Sequence, residues 1–599
     1  MVLGLAALFG AIGLQTIWAP PATVTASTAG AGVDAPAEAP LTVITGGINE
    51  VDGAADEAVE YTLTGEGDYT VMLGQTRDIE AWVGEAAHNT VTGIETEVPD
   101  GQDPRVVVEH TEGEATVPDP AGSDLWVDLQ EASGTIEQRW SVPSEGEWAL
   151  LVAADGTEPA PAEMTVTWTN TVGDSPWIIP LFVIGALLIL LGLALLVWAL
   201  LRRRRGRPGG GSGTAAGRPV PATTRPDSSP QSPDQPRGMQ ARGMQARGMQ
   251  ARAAGAAVVV LVMTGVWGAG PATADDAGSS PDGAPSAEAP TPETSADGQD
   301  EPYPIVTDSQ LERILGQIAG VVEAGDEAQD AGALEARVGG QSLAMRSANY
   351  ENRELSEDVQ AAAPVAAGPV KSVVAEADPA FPRTLAVVTE GEGNSTPQFL
   401  VLRQESAREQ YKLVANTPMT PGAQLPASDL SYTGAETIAS DDGTGLVMSP
   451  GKAVAGLARC LTDPEADFAA QMTENPAIQG IHEYQAGIEE AAPDATMYIS
   501  RNAVPDAATA LRLADGSALV FSTIDAQMAI APSEAGGKVV VDDLAAARAG
   551  EDSNESSTRV RMTYREVVAL HVPAEGATGD DAKISLVGLT DELESVSYD

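Results

Sequence analysis

Residues that could carry covalent or acid–base chemistry are few here and widely spaced. His88, His110, His482 and His571 are scattered, and no two share the i,i+4 spacing of a zinc-binding helix. Cys460 is the sole cysteine, which excludes an intrachain disulfide and any cysteine-based zinc site. It sits at the edge of a helical stripe of Ala453, Leu457, Ala458 and Leu461, with Arg459 beside it, so a buried structural thiol is expected. Ser449-Pro450-Gly451-Lys452 fits S-x-x-K ahead of a helix, but no S-D-N or K-T-G follows. Ser449 reads better as an N-cap with Pro450 in the first turn. Asp441-Asp442, Asp542-Asp543 and Asp580-Asp581 lack EF-hand spacing and read as solvated loop charge. No P-loop, dinucleotide fingerprint or Asp-x-Asp occurs. Trp82, Trp126, Trp140, Trp148 and Trp168 could stack on sugars. Trp126, Trp148 and Trp168, however, lie within or beside alternating apolar sets and are expected in a core. No catalytic, cofactor-binding or metal-ligating residue is nominated, and no cofactor is expected.

The elements around these residues are organised by a membrane. Trp177 to Leu201 is uncharged over 25 residues, has Trp near both ends and runs into Arg202–Arg205. About 20 apolar residues cross the hydrocarbon core as a helix, and the arginines mark the cytoplasmic end. Val2 to Trp18 is a second apolar stretch, so residues 1–26 form either a signal peptide cut after Ala26 or a retained anchor. Its missing basic flank points to a true start upstream of Met1. Ala253 to Ala274 is a third stretch with a basic flank and an Ala272-Thr273-Ala274 site, either a transmembrane helix or an internal signal peptide. Either fate exports the chain beyond Asp275.

Charge obeys the same plan. The formal net charge is −53, yet residues 202–252 carry eleven Arg, two Asp and no Lys, a net of +9 that leaves −62 elsewhere. Such acidic regions repel nucleic acid, which is excluded as a partner, while the lipid membrane is expected as one. Residues 202–252, with three copies of RGMQA, cannot bury a core and read as a disordered cytoplasmic loop. Residues 275–301 read as an acidic disordered linker.

Two exported regions remain. From 31 to 172, alternating runs such as Tyr61/Leu63, Val71/Leu73, Ile79/Ala81/Val83, Leu150/Val152 and Val166/Trp168 predict an all-β domain, a sandwich or a barrel, with the sandwich taken as the fold. From Pro302 the pattern changes. Leu311, Ile314, Leu315, Ile318 and Val322 have helical spacing behind a Thr307/Gln310 capping box, with a second helix over 333–345. Strand-like runs come next. The same order returns after Lys452, with helices over 452–461 and 468–488 and a hairpin at Asp515-Gly516. Tandem α+β units, 302–435 and 443–599, are expected, comparable with NTF2-like or cystatin-like cones. The intervening membrane and linker segments predict that 31–172 and 302–599 fold independently.

The WSVPSEGEWALLVAADG run from Trp140 to Gly156, the Trp177 helix ending in arginines and the acidic Ala-Gly-rich composition resemble membrane-anchored envelope proteins of high-GC actinobacteria. Some of these are labelled glycosyltransferases; the missing Asp-x-Asp and Rossmann-like pattern speak against that activity here. The resemblance and the layout together predict a non-enzymatic extracytoplasmic binding or scaffolding protein for wall or polysaccharide assembly, partnered by an envelope polymer or protein. A motif-free glycan enzyme and a lipid or small-molecule carrier with a cone-shaped pocket are the rivals.

Overall fold

A computed structural model describes residues 2–16, 23–28, 36–49, 59–96, 98, 103–140, 146–169, 178–204, 304–391, 394–423, 431–505 and 507–599. The basic loop beyond Arg204, its RGMQA repeat, the apolar stretch 253–274 and the linker 275–301 lie outside the described residues. The chain divides into two compact units.

The first unit holds helices α1 (Val2–Thr16) and α3 (Ile178–Arg204), with α2 (Thr76–Val83) falling between them in sequence. Ile178–Leu201 is the one described helix long and apolar enough to cross a membrane. Its 24 residues rise about 36 Å, more than the roughly 30 Å hydrocarbon core. Leu187, Leu190, Leu191 and Leu195 all point outward, as lipid-facing residues would.

The second unit begins with eight strands: β1 (Thr23–Ser27), β2 (Leu41–Thr45), β3 (Val59–Gln75), β4 (His88–Glu95), β5 (Arg105–Thr111), β6 (Asp128–Trp140), β7 (Trp148–Ala153) and β8 (Glu163–Thr169). They form one sheet, ordered β6-β3-β7-β2-β4-β5-β1-β8, that closes on itself where β3 also pairs with β8. Of the sandwich and the barrel that the alternation allows, the sheet takes the closed form. The cause is β3, whose first half pairs with β8 and whose second half pairs with β7. Its register shifts between Thr64 and Asp68, where Gly67 has φ +89°, a left-handed turn that glycine adopts freely. One bent strand thus serves both layers. Tyr61, Leu63, Val71, Leu150, Val152 and Val166 fill the interior.

Two further expectations fail here. Thr76–Val83 is helix α2, not a strand, because Ile79, Trp82 and Val83 share a helical face that packs on Leu41, Met72 and Trp126. The β domain also takes in Thr23–Ser27, ahead of residue 31, since β1 pairs along its whole length with β8.

The C-terminal part opens with α4 (Asp308–Ala328), α5 (Ala331–Leu334) and α6 (Gly340–Leu355). The Thr307/Gln310 capping box is present at α4. The helix expected over 333–345 breaks in two at Gly339-Gly340, where Gly340 has φ +52°. A five-stranded sheet comes next: β9 (Val370–Glu376), β10 (Arg383–Gly391), β11 (Asn394–Gln404), β12 (Lys412–Pro418) and β13 (Ser431–Ala435). The second half repeats the order with α7 (Pro450–Thr462) and α8 (Pro476–Ala491), the latter starting later than expected because Asn475-Pro476 caps it. Its sheet comprises β14 (Ala495–Ala503), β15 (Thr509–Arg512), β16 (Ala518–Pro532), β19 (Val560–Val572) and β20 (Ser585–Tyr598); β17 (Val539–Val540), α9 (Asp543–Arg548) and β18 (Glu555–Ser556) form a side excursion. Gly516, φ +83°, makes the expected turn between β15 and β16.

The two halves stack as helix, sheet, sheet, helix. Alternation lets each strand bury both faces. Leu385, Val387, Leu400 and Leu402 meet α4, while Ala386, Val388, Phe399 and Val401 meet Leu519, Phe521, Ala569 and Val587 of the second sheet. Phe399 and Phe521 meet edge to face at 5.5 Å. The second sheet's far face carries Val520, Ile524, Val568 and Leu570 under Ala453, Leu457 and Leu461 of α7.

The closed β sheet and the C-terminal halves share a buried polar seam. Asp124, with no side-chain exposure, receives both terminal nitrogens of Arg337 at 2.5 and 3.0 Å and the Tyr411 amide at 2.8 Å. Asp78 accepts from Arg383 at 2.5 Å, both buried. Gln310 and Arg313 donate to the carbonyls of Leu125 and Trp126, and Arg408 to those of Trp82 and Val83. Separating the two parts would strand these charges, so the structure joins what the sequence suggests are independent domains.

Candidate functional site

The polar residues of interest lie on the outer face of the second sheet, beneath α7 and α8. Strand register sets them in rows. Ala503, Ile524, Glu566 and Asp591 stand side by side across four strands; so do Arg501, Ala526, Tyr564 and Leu593; so do Ile499, Met528, Met562 and Val596. The face is therefore banded: an apolar core under α7, a polar belt, then an apolar end under Ile488 of α8.

Glu566 is buried and accepts from Arg501 Nε at 2.8 and 3.1 Å. Arg501 Nη1 donates to the Leu461 carbonyl at 2.8 Å, in the last turn of α7. Directly opposite Glu566 stands Asp591, a cross-strand position with Cβ atoms about 5 Å apart. One cation thus serves two facing carboxylates. Burial pushes Asp591 up to about 7, helped by Glu566 and Glu592 and opposed by Arg501. Burial also raises Glu566 against the pull of Arg501. Glu592, on the opposite face, is raised by burial and restrained by Asn352 and Asn349, which donate to it at 2.7 and 3.0 Å. Tyr484 of α8 is pushed up to about 12 by burial and then by Asp542 and Asp591. Tyr564 is held well above its ordinary range, chiefly by burial.

Two openings flank the belt. A groove of 560 Å³ of mixed character is lined by Arg459, Thr462, Asp463, Gln471, Ser500 and Arg501 together with Ala466, Phe468 and Ile499. An apolar slot of 210 Å³ is lined by Ile488, Met528, Ile530, Val541 and Met562, with Lys538 and Asp494 among its walls. Neither Glu566 nor Asp591 lines the groove; Arg501 does. A ligand in the groove would meet guanidinium, hydroxyl and amide groups and the carboxylates of Asp463 and Asp467, while Glu566 is reached only through its bond to Arg501.

The residues weighed from sequence fall elsewhere. Cys460 is buried at 2% exposure in the α7 core, its thiol raised by burial and lowered less by Arg459. His482 is folded close, but its Nε2 lies 2.7 Å from the Cys460 carbonyl oxygen. Ser449 occupies the N-cap position of α7 with Pro450 in the first turn, and its side chain makes no capping bond. Asp542 caps α9 through the Ala545 amide at 2.6 Å, while Asp442 is tied to Thr444 in an exposed loop and Asp580 and Asp581 lie in an exposed turn. Among the described residues no three His, Cys, Asp or Glu converge as metal ligands. Trp82, Trp126, Trp148 and Trp168 are all buried, with Trp82 and Trp126 6.2 Å apart, which removes them as a sugar platform. His88 and His110 sit on neighbouring strands, His110 Nδ1 3.0 Å from Asn89 Oδ1, and His571 is partly buried with its pKa lowered by that burial.

Sequence reading did not single out Arg501, Glu566, Asp591 or Tyr484. A signal was present: Glu566 occupies an inward position of β19 between Tyr564 and Val568, and Asp591 an inward position two beyond Leu589. A carboxylate at a core position of an otherwise apolar alternation marks a buried polar belt.

Two helix-on-sheet halves packed back to back, preceded along the chain by a closed β sheet and a membrane-length helix, define the architecture. Residues 302–593 match the model of a family described as a domain of unknown function (DUF8094), a span that takes in both halves. No curated protein and no solved structure matches the chain.

Proposed function

We propose that this chain is a membrane-anchored, non-enzymatic binding or scaffolding protein of a bacterial cell envelope, serving wall or polysaccharide assembly. Each helix-on-sheet half is taken as a cone of the NTF2-like or cystatin-like kind. Residues 23–169 and 304–599 stand outside the membrane and 202–252 inside. The buried seam supports this placement. Residues 23–169 and 304–599 share one body, so the chain between them crosses the membrane an even number of times. Ile178–Leu201 is one crossing, and Ala253–Ala274 is the remaining apolar stretch between them. Arg202–Arg205 put the intervening loop on the cytoplasmic side.

The observation that carries binding over catalysis is the position of Arg501, between the 560 Å³ groove and the Glu566–Asp591 pair. Its groove offers Gln471, Thr462, Ser500, Arg459 and two aspartates, donors and acceptors suited to a hydroxyl-rich or charged polymer. The facing carboxylates favour one second reading, a glycan hydrolase, in which a protonated Asp591 would act as general acid.

Cosedimentation of the full-length, detergent-solubilised protein with isolated wall polysaccharide separates the two. Binding should weaken at least about tenfold (about 1.4 kcal/mol) in Gln471→Ala/Arg459→Ala, with no new reducing ends released. Release of reducing ends that stops in Asp591→Asn would replace the binding reading with the hydrolase.

A further inference from the structure

The geometry points to α1 being a retained membrane helix docked on α3, and not a leader removed on export. The proposal goes beyond the binding reading and rests on two separate observations.

The first is the α1–α3 contact itself. A Cβ added at Gly4 would lie 2.8 Å from the Gly185 carbonyl oxygen and 2.8 Å from Ile189 Cγ1. One added at Gly185 would lie 2.9 Å from Leu8 Cγ and 3.0 Å from the Gly4 carbonyl oxygen. Each glycine is what lets the other backbone approach. In lipid, where apolar burial gives helices no reason to associate, such close backbone packing is what holds them together. The contact is confined to one face. Nothing would meet a Cβ at Gly10, and Leu3 and Phe9 point outward, whereas Ala11 is fully covered. Loss of α1 would leave Gly185 as a bare notch in the one described membrane-length helix.

The second is β1. Thr23–Ser27 pairs with β8 from Thr23↔Thr169 to Ser27↔Thr165, and this pairing helps close the β sheet. Ala26 is fully buried in the interior, and the Thr28 hydroxyl accepts from the Met164 amide at 2.9 Å. Cleavage after Ala26, the site that the sequence offers, would cut through this strand and remove most of its ladder.

The test uses the full-length protein with a C-terminal tag, purified from membranes. Peptide mapping should recover residues 2–16 in the same amount as C-terminal peptides. A new N-terminus anywhere from 17 to 28 would overturn the proposal. Photo-leucine incorporated in place of leucine, which leaves both glycines intact, should cross-link Leu8 to the peptide that holds Gly185 in membranes. An intact N-terminus with no cross-link would overturn the docking on α3, and introducing Gly185→Ile should reduce the cross-link at least fivefold.

Discussion

At the residue scale, Asp591 gives the sharpest expectation. The groups that bear on it are Glu566 on β19, Arg501 on β14, its neighbour Glu592, and Tyr484 and Tyr564. An acid whose folded pKa lies near 7 and whose unfolded value is 3.8 holds its proton more tightly when folded. Its contribution to stability is therefore full below about pH 4 and is lost as pH rises through 7. Asp591→Asn should make the protein more stable at pH 8, on the order of 2 kcal/mol, and flatten the fall in melting temperature between pH 5 and 8. Parallel melting curves for parent and variant across that range would show that Asp591 is not held protonated. Cys460, buried and with its thiol raised, should label slowly in the native protein and quickly once denatured. Cys460→Ser should cost about 1 kcal/mol or more. Fast native labelling would reveal an activated thiol. Cys460's burial was legible because its helical stripe is local. The Glu566–Asp591 pair was not, because it arises from strand register between segments whose polarity looks unremarkable singly.

At the element scale, the seam outweighs any single helix or strand. Asp124→Ala would leave Arg337, only 4% exposed, without its carboxylate, and should destabilise the protein by about 3–5 kcal/mol. Adding Arg337→Leu should recover much of that loss in a double-mutant cycle; a second variant as unstable as the first would show the pair is not the cause. Fragments 23–169 and 302–599 made separately should each be less stable than together, since the face of Ile79, Trp82 and Trp126 that packs on Ala407 would be open to water. Equal stability of the separate fragments would contradict the seam. The α4 cap and most strands could be read from local pattern. Helix α2 could not, because Ile79-Ala81-Val83 alternates like a strand while Trp82 decides the outcome by packing on Trp126. Asp124 and Arg337 lie 213 residues apart, and no local pattern links them.

At the scale of the whole molecule, the chain joins an acidic body with a shared seam to one described helix of membrane-spanning length. The membrane-length helix and the tandem helix-then-sheet order were legible, the first as a long unbroken apolar run and the second from sustained periodic signals. The choice of a closed β sheet over a sandwich was not, because alternation reports which face is buried and not whether a bent strand such as β3 pairs with both β7 and β8. The central proposal is that residues 23–169 and 304–599 lie on one side of the membrane with the arginine-rich loop on the other. Topology reporters fused after Asn170, Pro226 and Pro302 of the full chain test it most directly. The expected readings are outside, inside and outside. An exported signal at Pro226, or opposite signals at Asn170 and Pro302, would contradict the account.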